Sequence, residues 1–220
     1  MKKVISCEKA VEMIPEGSSL LIGGFMGVGS PHRLIAELVR QNRKHLTVIA
    51  NDTGKPGFGI GRLIDAKLVI KLIATHIGLN PETQKQMING DIEVELCPQG
   101  TLAERIRSGG FGLGGVLTPT GVGTVVEDHK QKVEVDGKVF LLEKPVTADF
   151  ALLAAHRSDY MGNLEYSLTA RNFNVVMATA GRTVIAEPDH IVPSGVIPPD
   201  YVATPFVCID YIIGRGINGQ

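Results

Sequence analysis

The chain has 220 residues, 44% of them apolar and 20% charged, with 22 Lys and Arg set against 23 Asp and Glu. That length suits one large or two small domains, and the apolar fraction allows a sizeable core. The formal net charge of −1 argues against a nucleic-acid partner, which demands a basic face, and no run approaches the roughly 18 apolar residues of a membrane span.

The N-terminus, Met1 to Glu8, carries two lysines but no apolar stretch behind them, so no signal peptide is expected. Ser6 is placed to cap a short helix with Ala10, Val11 and Ile14 on its apolar face, ended by Pro15-Glu16-Gly17. Leu20-Leu21-Ile22 reads as a buried strand, and Gly23 to Gly29 as the loop after it. Ser30-Pro31 reads as an N-cap with proline at the first helical position, and Leu34, Ile35, Leu38 and Val39 give the helix one apolar face. Leu46 to Ala50 is the next strand. Strand, helix and strand in so short a span imply a parallel pair with a crossover helix.

The alternation continues. Leu68 to Ala74 reads as a strand, Asn80-Pro81 opens a helix to about Asn89, and Ile92 to Leu96 is a strand. Thr101-Leu102-Ala103-Glu104 spells a capping box opening a helix through Arg107. Gly109 to Gly123 is glycine-rich and too irregular for a helix. Val133 to Phe140 alternates about Asp136-Gly137, a hairpin signal. Ala148 to Ala155 is a buried strand or a helix start. Val184 to Ala186 and Phe206 to Ile213 read as late strands, and the tail after Gly214 is expected to fray. The expectation is an α/β fold: an open, mainly parallel sheet covered by helices, with a small antiparallel insertion after the glycine-rich loop. No linker or repeat divides the chain, so residues 1–220 are read as a single domain.

Several chemistries find no motif. Cys7, Cys97 and Cys208 are widely spaced, odd in number and form no CxxC pair, so neither a disulfide framework nor a structural zinc site is indicated, which fits a reducing cytoplasm. His32, His45, His76, His129, His156 and His190 show no HxH or HExxH spacing, so no metal site is expected. No nucleophile elbow or catalytic carboxylate pair stands out.

Three places remain. The loop Gly23, Gly24, Phe25, Met26, Gly27, Val28, Gly29 lies between a strand and a helix start, where backbone N–H groups and the helix dipole suit a phosphate. It fits neither GxGxxG nor a P-loop. A tight turn without a ligand is the competing reading. Cys97-Pro98-Gln99-Gly100 lies at the carboxyl end of the expected sheet, where ligands bind in open α/β folds. There Gln99 either donates an amide N–H to a developing oxyanion or satisfies loop backbone, and Cys97 reads as a small buried residue. Gly110, Gly112 and Gly115 do spell GxGxxG, but a helix precedes them where a strand is required; the stretch covers a ligand or partner, or is a surface loop. Arg105 and Arg107, near the glycine loop, either attract a phosphate or, by default, are solvated helix charges. Arg171 reads as a structural ion-pair partner, with pairing to an anion the alternative, and Asn172 or Asn174 as a cap.

These residues carry a resemblance. Gly17 to Pro31, with its GGFMGVGSP core, resembles the signature of family I CoA-transferase α subunits, departing at Glu16, where Asp or Asn is usual. Pro98 to Arg107 with Thr118-Pro119-Thr120-Gly121, and Ala170-Arg171-Asn172-Phe173-Asn174, are further matches, so the resemblance covers nearly the whole chain. The short segment between Thr124 and Asp136-Gly137 is similar to the bacterial branch acting on acetate, butyrate and acetoacetate.

The resemblance implies transfer of CoA between a short-chain acyl-CoA or acetoacetyl-CoA and a carboxylic acid, through a glutamyl-CoA intermediate. It places that glutamate in a Glu-Asn-Gly type motif of the β subunit, and this sequence holds no Glu-Asn-Gly. It therefore implies a β-subunit partner in an α2β2 assembly, with this chain inactive alone. It also implies that Gln99 is the oxyanion donor, that Gly23 to Gly29 bind coenzyme A as substrate, and that no cofactor is permanently bound. Two alternatives carry other expectations. A non-catalytic ligand-sensing domain on the same fold would usually have an attached DNA-binding unit. An NAD-type oxidoreductase would need GxGxxG between strand and helix.

Overall fold

The computed structural model describes residues 3–214; Met1, Lys2 and the tail after Gly214 lie outside the described residues. The strands are β1 (Lys3–Ile5), β2 (Ser19–Ile22), β3 (Leu46–Ile49), β4 (Val69–Ala74), β5 (Glu93–Leu96), β6 (Val116–Thr118), β7 (Lys132–Val135), β8 (Lys138–Glu143), β9 (Ala148–Asp159), β10 (Leu164–Glu165), β11 (Gly181–Val192) and β12 (Tyr211–Ile213). The helices are α1 (Cys7–Glu12), α2 (His32–Arg40), α3 (Gly61–Asp65), α4 (Pro81–Asn89), α5 (Gln99–Gly110) and α6 (Asn174–Met177).

Eight strands form a parallel ladder in the order β1-β12-β11-β9-β2-β3-β4-β5, and β10 adds antiparallel to β9. Strands β6, β8 and β7 make a separate antiparallel sheet. The expected fold class is what forms. Alternate side chains on each strand enter different cores. Leu20 and Ile22 of β2 pack with Val11 of α1, Leu34 and Leu38 of α2 and Leu63 of α3, while Leu21 packs with Leu102 and Ile106 of α5 and Met177 of α6. Both faces are thus covered, as a parallel sheet requires. Each fully buried Leu or Ile stabilises the fold by about 1.5–3 kcal/mol. Among the described residues, no helix is long and apolar enough to cross a membrane, and no three His, Cys, Asp or Glu gather as a metal site.

Several local expectations are corrected. The capping box at Thr101 does not form. Pro98 occupies the N-cap position, with φ −52° already helix-compatible, and Leu102 N–H bonds to its carbonyl at 2.9 Å, so α5 starts earlier. Glu104 then falls inside the helix and pairs with Arg107 at 3.1 Å on the exposed side. Ser30 does not cap α2; Pro31 is the N-cap residue and makes no side-chain bond. Gly109 and Gly110 belong to α5, and Val116–Thr118 is a strand paired with β8. Of Phe206 to Ile213 only the last three residues are strand, because Pro205 initiates a 3₁₀ turn at Phe206–Cys208. Ala148 to Ala155 resolves as strand, part of the twelve-residue β9. The hairpin forms as expected, with Asp136 (φ 50°) and Gly137 (φ 74°) both left-handed, as a type I′ turn needs.

Candidate functional site

Strands β2, β3, β4 and β5 are parallel neighbours, so their carboxyl ends share one edge. Next to β2 lies β9. The chain leaves β2 through α2 on one face and leaves β9 toward α6 on the other. That divergence is a topological switch point, the place in open α/β sheets where ligands commonly bind.

The glycine loop fills this place. Phe25 and Val28 exchange both backbone bonds at 3.0 Å, with Met26 (φ 49°) and Gly27 (φ 83°) left-handed between them. A methionine in that conformation costs roughly 1–2 kcal/mol. Its N–H donates to Asp52 Oδ2 at 2.8 Å, which helps hold the strained turn. A Cβ on Gly23 would stand 1.9 Å from Asn174 Oδ1, and one on Gly27 would stand 2.2 Å from the Phe58 ring. The close approaches these glycines permit are therefore to the protein's own side chains.

Phe58 belongs to a second tight turn, Lys55-Pro56-Gly57-Phe58, closed by Phe58 N–H to Lys55 O at 3.1 Å. The two turns meet around His32, whose ring lies 4.8 Å from that of Phe58 and whose Nε2 is 3.0 Å from Gly27 O. Phe25, Met26, Val28 and Phe58 remain exposed, giving the paired loops an apolar rim.

The segment Ala170 to Asn174 braces the loop from the other side. Asn172 Nδ2 donates to Val28 O at 2.9 Å, and Gly24 N–H donates to Asn172 Oδ1 at 3.2 Å. Asn174, fully buried, donates to Gly29 O at 2.9 Å and accepts from Ala154 N–H at 3.1 Å. Phe173 is the N-cap of α6, while Asn172 stands at the C-cap of the preceding 3₁₀ turn Leu168–Arg171 and also bonds to Thr169 O, and both side chains reach the loop. Arg171 is exposed and makes no ion pair among the described residues, against the expectation of a structural pair.

The start of α2 is closed. Glu187, from β11, accepts the Arg33 and Leu34 N–H groups at 3.0 and 2.8 Å. Burial pushes its carboxyl above the usual range, with those N–H bonds and Arg33 pulling the other way. The helix terminus read from sequence as a phosphate seat thus already holds a carboxylate.

Gln99, at the first position of α5, is exposed, and its Nε2 donates to Asn51 Oδ1 at 2.6 Å. Asn51 and Asp52 follow β3 and are 2% and 6% exposed. Asn51 Nδ2 donates to Asp52 Oδ2 at 2.7 Å, and Gly54 N–H donates to Asp52 Oδ1 at 2.7 Å. The glycine loop, Gln99 and the asparagine segment therefore converge. The stretch 109–123 makes no hydrogen bond to this cluster among the described residues. Arg105 is not solvated: it is 9% exposed and bonded to Glu95 and to Lys144 O. Cys97 is buried as expected, its thiol raised by burial.

Sequence reasoning missed Asn51, Asp52, Phe58 and Glu187. A signal existed for the first three, since Asn51-Asp52-Thr53-Gly54 and Pro56-Gly57 are turn residues directly after a strand. Glu187 sits inside a strand pattern, with nothing local to mark it.

The fold is that of an α/β protein with a mainly parallel sheet, its loops gathered at a topological switch point. Residues 4–215 match the Coenzyme A transferase family, and the chain belongs to it. It is 51% identical over 211 residues to the acetate CoA-transferase subunit alpha of Escherichia coli, covering 96% of each chain. It is 48% identical to the acetoacetyl-CoA:acetate/butyrate CoA transferase alpha subunit of Clostridium acetobutylicum, covering 96% of this chain and 97% of that one. Among solved structures, an E. coli acyl-CoA transferase in a thioester complex with CoA superposes with TM-score 0.86 at 23% identity, over 97% of this chain. The chain spans 47% of that longer protein.

Proposed function

We propose that this chain is the α subunit of a heteromeric CoA-transferase, moving CoA between a short-chain acyl-CoA or acetoacetyl-CoA and a carboxylate such as acetate or butyrate. The observation that carries this is Gln99. One N–H of its amide is bound to Asn51. Its second N–H has no hydrogen-bond partner among the described residues, and Gln99 is exposed at the carboxyl edge of the sheet. A fixed, unspent donor of this kind stabilises an oxyanion as it forms.

The attacking carboxylate belongs to the partner. Asp52 is buried and already accepts three N–H groups, and Glu187 is committed to α2. Neither is available as a nucleophile. The partner's glutamate attacks the thioester carbonyl, CoA thiolate leaves, and an acyl-glutamyl anhydride forms. The thiolate then attacks the glutamyl carbonyl and expels the donor acid as its carboxylate. The acceptor carboxylate reverses both steps. Gln99 donates to the oxyanion in these additions.

The loop Gly23 to Gly29 takes the pantetheine and acyl end of the substrate. Its rim is apolar, and Glu187 closes the helix start behind it to phosphate. The relatives named as alpha subunits support a β partner, with α2β2 the expected stoichiometry and the cytoplasm the expected compartment. Their transferase names also favour this reading over a ligand sensor.

The test is CoA transfer from acetoacetyl-CoA to acetate by this chain alone and with its co-expressed β chain. Activity in the mixture only is the expected result. Activity in the isolated chain would place the nucleophile here, and silence in both would remove the transferase reading for this acyl pair.

A further inference from the structure

The orientation of the Gln99 amide is dictated from a buried carboxylate two hydrogen bonds away. Backbone N–H groups only donate, and a carboxylate only accepts. Met26 N–H and Gly54 N–H both point at Asp52, so its oxygens are acceptors. Asn51 must then turn its NH2 toward Asp52, which leaves Asn51 Oδ1 facing Gln99. The Thr75 hydroxyl spends its one hydrogen on Asn51 O at 2.8 Å, so the orientation of the Asn51 amide is set by Asp52. An oxygen at the 2.6 Å position now held by Gln99 Nε2 would face another acceptor. Gln99 therefore presents its NH2 to Asn51, and that group's second N–H stays unbonded among the described residues. A flipped amide would offer the substrate a carbonyl oxygen instead.

We propose that Asp52 is a positioning residue for the transfer reaction. It acts through Asn51 to fix Gln99 as a donor, and through Met26 N–H to hold the glycine loop in register with that donor. The chain of bonds runs from groups 2% and 6% exposed to an exposed terminus, so the buried end is rigid and only the last amide meets substrate. One carboxylate anchors elements from three strand ends: the loop after β2, the turn after β3 and the start of α5. The strained left-handed Met26 is consistent with this, since such strain persists where surrounding contacts over-determine it. The inference rests on the reading of Gln99 as the oxyanion donor.

A double-mutant cycle on the assembled α/β enzyme tests it, with Asp52→Asn, Gln99→Ala and the combination. Asp52→Asn keeps the shape but introduces an NH2 that confronts one of the donors, freeing Asn51 and Gln99 to turn. The expected result is a kcat reduced about 10- to 100-fold by Asp52→Asn, with KM for acyl-CoA changed less than about threefold. In the Gln99→Ala background, Asp52→Asn should cost only a small part of that factor, because no donor remains to be positioned and only the loop anchor is disturbed. The same factor in both backgrounds, or a wild-type kcat for Asp52→Asn, overturns the relay. A wild-type kcat for Gln99→Ala overturns the donor reading itself, a distinct outcome. If Asp52→Asn does not assemble, Asn51→Ala leaves the loop anchor in place and takes its position in the cycle. A loss of kcat that vanishes in the Gln99→Ala background then supports the relay, and an equal loss in both backgrounds overturns it.

Discussion

Glu187 Oε2 lies 2.8 Å from the Leu34 backbone nitrogen, so a strand side chain more than 150 positions away caps α2. Its other oxygen accepts from Arg33 N–H at 3.0 Å, and Arg33 Nε stands 3.5 Å from it. No side chain of the preceding segment caps this helix. Glu187→Ala should therefore destabilise the protein by about 1–2 kcal/mol, read as a lower thermal midpoint. An unchanged midpoint would mean that water caps the helix equally well.

Gln99→Ala should lower turnover by about two to three orders of magnitude, the loss of roughly 3–4 kcal/mol of transition-state stabilisation. Assembly with the β chain should be unaffected, because the side chain is exposed and bonds only to Asn51. Steady-state kinetics beside size-exclusion chromatography checks both halves.

Gly23→Ala should be poorly tolerated although its backbone needs no special conformation. The new methyl would stand 1.9 Å from Asn174 Oδ1. Asn174 is fully buried and bonded to Gly29 O, Ala170 O and Ala154 N–H, so it cannot yield without stranding those groups. The expected cost is about 1–3 kcal/mol. A denaturant melt with an unchanged midpoint would mean that the asparagine has another place to go.

Asp149 ties the start of β9 to β2, accepting from Ser19 N–H at 3.0 Å and Ser19 Oγ at 2.7 Å. The Ser19 backbone N–H, then its hydroxyl, hold the carboxyl below its ordinary value of 3.8. A depressed folded pKa contributes stability that is present above the unfolded pKa and lost as pH falls through the folded one. Asp149→Asn should thus be less stable than the parent by about 1 kcal/mol at neutral pH. The gap should shrink as pH drops below 3.8. A gap constant with pH would mean that shape, not charge, matters there.

The sequence by itself determined the layers and the position of the loops. Short aliphatic runs at Leu20–Ile22 and Leu46–Ile49, separated by an amphipathic helix, leave little choice but parallel strands joined by a crossover. Asp136-Gly137 dictates its own turn. Glycine clusters and Gln99 at strand ends marked the carboxyl edge of the sheet, because periodicity and turn chemistry are local and survive in one dimension. Only the tertiary structure decided what each polar group is bonded to. Asn51 and Gln99 are 48 positions apart, Asn172 and Val28 are 144 apart, and Arg33 and Glu187 are 154 apart. A hydrogen bond is directional and acts only at contact. Its partners are therefore fixed by the sheet order that brings β11, β9, β2, β3 and β5 into place, and no local pattern records them.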